Sequence, residues 1–383
     1  MSDTNTQNNK KTKRESRMVK VWDLPTRAFH WSLVAMVFIG LVTGYIAPEW
    51  WMGLHIWAGY ITVTLLVFRL VWGVFGSEYA RLETFTFSFS HIISHMKEIV
   101  TLRPVRHYIG HNPSGAVMIF ALLLVLSIIT VSGLLVLGGE ENQGPMAGAA
   151  SYAVSEIAAP IHSIFVVLLV IMVVLHIGGV ILEGKITGEN LVLSMITGLK
   201  RVPEGTAPLV HRQARPLAAI LVTATFFAIG GSLLAAFATM PPSGLNHLEP
   251  NKVYETDCGD CHLPYHPSLL PAKSWEQMMA TLDDHFGEDA TLGADSVNEI
   301  TTYLVNNAAE KWDTEAANRF KNIDPEYPMQ ITKTSYWIRK HHEISPETFK
   351  IKGVGVKSNC GGCHTDHYTG RFDDQKIKIP KAK

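Results

Sequence analysis

The sequence predicts an all-α protein: a transmembrane bundle of four helices plus a fifth, followed by a small, mostly helical polar domain. Three observations carry this. Of 383 residues only 17% are charged, against roughly 25% in a soluble domain, and the apolar residues are concentrated before Met240. That part holds apolar stretches long enough, at about 1.5 Å per residue, to cross a bilayer. Beyond residue 250 the chain turns hydrophilic, and SWEQMMATLDDHF and DSVNEITTYLVNN carry apolar residues at helical spacing behind a Ser or Asp.

Residues 1–18 are polar, rich in Asn, Thr and Lys, without an apolar period, and predict a disordered tail. No small-residue cleavage site follows the first apolar run, which therefore reads as an uncleaved anchor. The first span, 29–46, contains His30. A turn with Pro48, Trp50 and Trp51 follows, its indoles suited to a membrane interface. The second span, 53–74, contains His55 and Arg69. Residues 75–113 are polar, with His91, His95, His107 and His111 among Lys and Arg, and the third span, 115–137, has no histidine. Residues 138–160 read as a Gly- and Ala-rich acidic loop. The fourth span, 162–182, is HSIFVVLLVIMVVLHIGGVIL and carries His162 and His176. A basic connection over 183–215 leads to the fifth helix, 216–240, and Met240-Pro-Pro-Ser-Gly opens a linker over 241–250. The expected organisation is thus a membrane domain over 19–215, the fifth helix, and a C-terminal domain over 251–383. The latter looks too sparse in core residues to be stable without something bound at its centre.

Orientation follows from Lys and Arg in the short loops. The N-terminal segment carries Lys10, Lys11, Lys13, Arg14, Arg17, Lys20 and Arg27. The second-to-third loop carries Arg81, Lys97, Arg103 and Arg106, and the fourth-to-fifth loop Lys185, Lys200, Arg201, Arg212 and Arg215. The other two loops have none and hold Glu49, Glu140, Glu141 and Glu156. The N-terminus is therefore expected in the cytoplasm. With five spans the C-terminal domain lies across a bacterial inner membrane, in the periplasm. Net charge is −1, and no basic groove-reading motif points to nucleic acid.

Histidines inside a span are costly and usually meet a partner in the bundle interior. His162 and His176 are fourteen residues apart, about four helical turns and roughly 21 Å along one face. Helix direction sets the depths: His30 and His176 near the inner leaflet, His55 and His162 near the outer. Four histidines matched in two pairs predict two haem b groups, each with two His ligands. A metal other than haem would want more ligands at one depth. Arg69 reads as a cation snorkelling to the interface or as a contact for a haem propionate. His111, in HNPSG, suits a propionate, a quinone or a capping role.

All four cysteines lie in two C-x-x-C-H motifs, Cys258-Gly-Asp-Cys261-His262 and Cys360-Gly-Gly-Cys363-His364. The pattern predicts two covalently attached haem c groups, with thioethers to each cysteine pair and His262 and His364 as proximal iron ligands. A redox C-x-x-C pair, which does not need the histidine, and a zinc site built from both pairs are the alternatives. Six further histidines, His247, His266, His285, His341, His342 and His367, are available as sixth ligands. Met278 and Met279 sit at core positions of a predicted helix.

These residues resemble two known families. VWDLPTRAFHW, HIWAGY, RLVWGVFGS, GHNPSG and LHIGGV, over residues 19–200, resemble the prokaryotic cytochrome b561 of nickel–iron hydrogenase type. That family's haem ligands match His30, His55, His162 and His176. YETDCGDCH, LLPAKSWEQMM, DHFGEDATL and KSNCGGCH resemble the dihaem cytochrome c family. The resemblance implies two His ligands for each haem c, with His285 and His341 as the distal ones, and a small high-spin monohaem cytochrome c as partner. The expected function is transmembrane electron transfer, with quinol:cytochrome c type oxidoreductase activity, from quinol through two b haems and two c haems to a periplasmic acceptor. The rivals are a periplasmic enzyme reducing oxygen or a nitrogen oxide, superoxide oxidation at the b module, and a hydrogenase anchor.

Overall fold

The computed structural model describes residues 16–101, 108–203 and 216–380. Residues 1–15 of the expected tail, with Lys10, Lys11, Lys13 and Arg14, lie outside them, as do Arg103, Arg106, His107, Arg212 and Arg215. The membrane part contains α1 (Leu24–Tyr45), α2 (Met52–Phe75), α3 (Phe89–Val100), α4 (Pro113–Glu140), α5 (Tyr152–Thr187), α6 (Leu191–Thr197) and α7 (Pro216–Thr239). Among the described residues, α1, α2, α4 and α5 are long and apolar enough to cross a membrane, and a helix satisfies its backbone polar groups internally, as lipid demands. Pro216 opens α7 where a missing N–H does no harm. α7 is 24 residues long, and its run Ala224–Thr239 is apolar.

Two elements differ from expectation. α5 starts at Tyr152, with Pro160 inside it, and α4 runs to Glu140, so about half of the anticipated 138–160 loop is helical. Its N-terminus is fixed by tertiary contacts that composition does not reveal: the Tyr152 N–H donates to Asp313 Oδ2 at 3.1 Å. The second is a two-stranded antiparallel ribbon of β1 (Ser16–Lys20) and β2 (Leu199–Pro203). Its strands are about 180 positions apart in sequence, beyond any local periodicity.

The described chain divides into two compact units. The first holds residues up to Val37, Ile61–Ile128 and Phe165–Ser232. Its core is Phe29, Leu65, Phe68, Trp72 and Ala80. Asp23 organises it: Oδ1 caps α1 through the Thr26 N–H at 2.8 Å, while Oδ2 accepts from Trp72 Nε1 at 3.0 Å and Ser77 Oγ at 2.7 Å. Asn112 begins α4 by accepting the Gly115 N–H at 2.6 Å. α3 is amphipathic, with His95 buried and Phe89, Met96 and Val100 exposed.

The second unit holds Phe38–Tyr60, Ile129–Ile164 and the chain from Leu233. Its C-terminal part contains α8 (Lys252–Asp257), α9 (Ala272–Ala280), α10 (Ala294–Asn306), α11 (Glu315–Phe320) and α12 (Ser335–Lys340). Ile300, Leu304 and Ala308, at i, i+4 and i+8, meet Trp275 and Met279 of α9 together with Tyr254 and Leu270. Met278 packs on the edge of this cluster, as its spacing suggests. The same unit joins the C-terminal domain to the two turns that lack Lys and Arg. Lys340 lies 3.7 Å from Glu49 and 3.7 Å from Glu315. Gln143 Nε2 donates to Asp373 Oδ2 at 2.5 Å, Arg371 Nη2 to the Glu141 carbonyl at 2.6 Å, and Arg319 Nη2 to Glu156 Oε1 at 2.9 Å.

Candidate haem-binding centres

The structure brings the sequence-selected histidines together in pairs. The rings of His55 and His162 have centroids 6.2 Å apart, those of His262 and His285 are 6.1 Å apart, and those of His341 and His364 are 6.1 Å apart. A metal–imidazole bond is about 2 Å, and ring nitrogen to ring centre roughly 1.2 Å, so two imidazoles that would share one metal have centroids up to about 6.4 Å apart. All three pairs sit within that spacing. His30 and His176 fall together in the first unit, where they are electrostatic neighbours.

A coordinating imidazole binds through one nitrogen while the other is held by an acceptor. His162 Nδ1 lies 2.9 Å from the Ile129 carbonyl, and His55 Nδ1 3.0 Å from Thr43 Oγ1. His262 Nδ1 is 2.9 Å from the Leu263 carbonyl, and His341 Nδ1 2.8 Å from that of Trp337. Each bond leaves Nε2 free for its partner's side. Trp337 also stacks on His341, centroids 4.1 Å apart and planes 12° apart. His30 Nδ1 and His364 Nδ1 are buried without a hydrogen-bond partner among the described residues. Such a nitrogen costs about 1–3 kcal/mol in a protein interior. Burial, then the neighbouring His341, lowers His364 to about 4, and burial also lowers His285 and His341. All three are therefore neutral near pH 7, the form that ligates metal.

The two C-x-x-C-H motifs pack against each other. Tyr265 Oη donates to the Ser358 carbonyl at 2.8 Å. A Cβ on Gly361 would come within 2.8 Å of Leu263 Cδ1, so the two motifs approach closely there. A cavity of about 240 Å³ opens between them, lined by Cys261, His262, Cys360, Gly361 and His367 among others. Burial pushes the Cys258 and Cys360 thiols up to about 11. A redox C-x-x-C works through a lowered thiol pKa, so this environment speaks against that alternative. Among the described residues no group of three or more His, Cys, Asp or Glu is placed to hold a metal ion. The residues fit covalently held haem c.

The doublet His341-His342 is separated by the fold. His341 is half-buried and faces His364, whereas His342 is exposed and its Nδ1 turns back to the Arg339 carbonyl at 2.7 Å. His341→Ala is therefore expected to turn one haem c high-spin and CO-reactive, and His342→Ala to leave both low-spin; visible spectra with and without CO check this. His266 and His367 form other contacts: His266 Nδ1 with Ser268 Oγ at 2.8 Å, His367 Nδ1 with the His364 carbonyl at 3.1 Å. His247 is exposed beside Glu249.

Arg69 does not snorkel. It is only 4% exposed, donates to the Ala80 carbonyl at 2.9 Å and lies 5.4 Å from the centre of the Phe85 ring. His111 does not cap α4, since Asn112 does; its ring sits between Trp22 at 4.6 Å and Phe85 at 4.2 Å. Burial, then Arg69 and Lys200, lowers it to about 3. Sequence reasoning missed Thr43, Ser132, Gly133 and Trp337, which orient or crowd the paired rings. Gly133 leaves room for His162, whose Cε1 would be 3.1 Å from a Cβ there. Nothing in their local sequence distinguishes these four from neighbouring helix residues.

The family model for prokaryotic cytochrome b561 matches residues 21–198, and that for dihaem cytochrome c matches residues 254–372. A dihaem cytochrome c of known structure from Shewanella baltica OS155 is 34% identical; the match covers 34% of this chain and 95% of that one, with a TM-score of 0.28. The dihaem cytochrome c from Rhodobacter sphaeroides is 36% identical over 33% of this chain and 99% of its own, with a TM-score of 0.29. Comparison with curated protein sequences gave no match.

Proposed function

We infer, from a chain that belongs to the prokaryotic cytochrome b561 family over residues 21–198 and to the dihaem cytochrome c family over 254–372, that it carries electrons from quinol to a periplasmic acceptor. Haem b and haem c, the groups these families bind, supply the one-electron chemistry when present. His30 with His176 holds one haem b, and His55 with His162 the other. Cys258 and Cys261 tether one haem c between His262 and His285. Cys360 and Cys363 tether the second between His364 and His341. The observation that carries this reading is the recurrence of one ring spacing, 6.1–6.2 Å, in three histidine pairs from three parts of the chain. Two protein ligands on each c centre leave no vacant position for a small substrate, which favours relay over reduction of oxygen or a nitrogen oxide.

The N-terminus is cytoplasmic and the C-terminal domain periplasmic. Two independent features support this orientation: Lys and Arg fall in alternate loops, and the loops without them are those that touch the C-terminal domain. α7 completes the return crossing. The acceptor is a small monohaem cytochrome c of the kind the family resemblance implies. Quinol added to membranes containing the protein should reduce both b and c haems, seen in their separate α bands, and a quinone-site inhibitor should block both. If neither set of haems responds to quinol, the reading is wrong.

A further inference from the structure

We propose that the face around His262 and His285 is the docking surface for a positively charged redox protein, an inference that rests on the electron-transfer reading above. The two c centres differ in what surrounds them. The His341/His364 side is occupied by the membrane part: Lys340 reaches Glu49, and a Cβ on Gly53 would lie 3.1 Å from Gln375 Oε1. The His262/His285 side is open. Phe286, next to His285, is 55% exposed.

Charge separates the two sides further. Within four positions of His262 or His285 stand Asp260, Asp283, Asp284, Glu288 and Asp289, and no Lys or Arg. All five carboxylates are exposed, and among the described residues none forms an ion pair. Asp284 and Asp289 each use one oxygen to hold their own loop, through Gly287 N at 3.1 Å and Thr291 N at 3.0 Å. Around His341, by contrast, Arg339 and Lys340 stand among the carboxylates. Exposed carboxylates of one sign beside a redox centre are how a transient interface gains electrostatic steering. The complement is a partner with a basic rim. Like charge repels an anionic lipid surface and a second copy of the same face.

The test measures binding of a lysine-rich mitochondrial-type cytochrome c to the full-length haem-loaded protein in nanodiscs, both proteins reduced so that no turnover occurs. Binding should weaken about tenfold or more as salt rises from low to physiological strength. It should be lost with succinylated cytochrome c. Changing Asp260, Asp283, Asp284 and Glu288 together to Lys should weaken it at least tenfold at low salt. The milder set Asp260→Asn, Asp283→Asn, Asp284→Asn and Glu288→Gln serves if the first loses haem c, and should weaken binding by a smaller factor. A control with Glu326, Glu343 and Glu347 changed to Lys carries nearly the same charge change elsewhere and should bind as the unaltered protein does. Equal weakening by the control, unchanged binding by both acidic-face sets, or equal binding of succinylated cytochrome c overturns the docking surface. If quinol reduces all four haems while binding ignores these changes, only the docking proposal falls. If quinol reduces none in the unaltered protein, the electron-transfer reading falls with it.

Discussion

On the proposed ligand set, replacing His162 by Ala is expected to lower haem b from two per chain to one while both c haems remain. The ring is held at 2.9 Å by the Ile129 carbonyl, with Ser132 Oγ at 3.3 Å, and faces His55 at 6.2 Å. Alanine removes both the ligand and the fixed orientation. Loss of an orienting partner alone weakens a metal site by about 10–100-fold, so loss of the ligand should exceed this and empty the site. Reduction of the c haems by quinol should then fall by about two orders of magnitude or more, because one centre in the series is missing. A pyridine haemochrome assay separates b from c haem in the same sample. Unchanged haem b content would refute the pairing of His162 with His55.

The second large effect is expected at Asp373, which is fully buried. It accepts from Gln143 Nε2 at 2.5 Å, from Arg371 Nη2 at 3.4 Å and from the Gln375 N–H at 2.9 Å. Asp373→Ala leaves the Arg371 guanidinium, 9% exposed, without its counter-charge. Breaking a buried pair from one side costs about 3–5 kcal/mol. The urea midpoint of the C-terminal domain, followed through its haem absorbance, should fall accordingly, while Asp373→Asn, which keeps an acceptor for the Gln375 N–H, should fall less. A midpoint unchanged in the alanine variant would mean that this cluster does not secure the domain.

The apolar spans were legible because lipid imposes a length and a composition on each one separately. The expected second span, 53–74, coincides with Met52–Phe75 to within a residue. The C-x-x-C-H motifs were legible for a similar reason: their chemistry is confined to five consecutive positions. What depends on tertiary placement was not legible. The β1–β2 ribbon joins distant segments, and the helical start at Tyr152 depends on Asp313, 161 positions away. His341 and His342 are indistinguishable by composition; one turn of α12 and the stacking of Trp337 decide which ring meets His364. Arg69 looked like a cation reaching for the interface because sequence does not reveal that Phe85 and the Ala80 carbonyl enclose it.

The clasp that Lys340, Arg319, Arg371 and Asp373 form on Glu49, Glu156, Glu141 and Gln143 has a kinetic meaning. A soluble donor must find its membrane partner by diffusion, at a rate that scales with abundance. A domain tied to the same chain and held against it sees that partner at an effective concentration on the order of millimolar. Transfer across the clasp is then a first-order event. Diluting the protein in lipid should leave its rate constant unchanged, so only the encounter with an outside acceptor should depend on protein concentration.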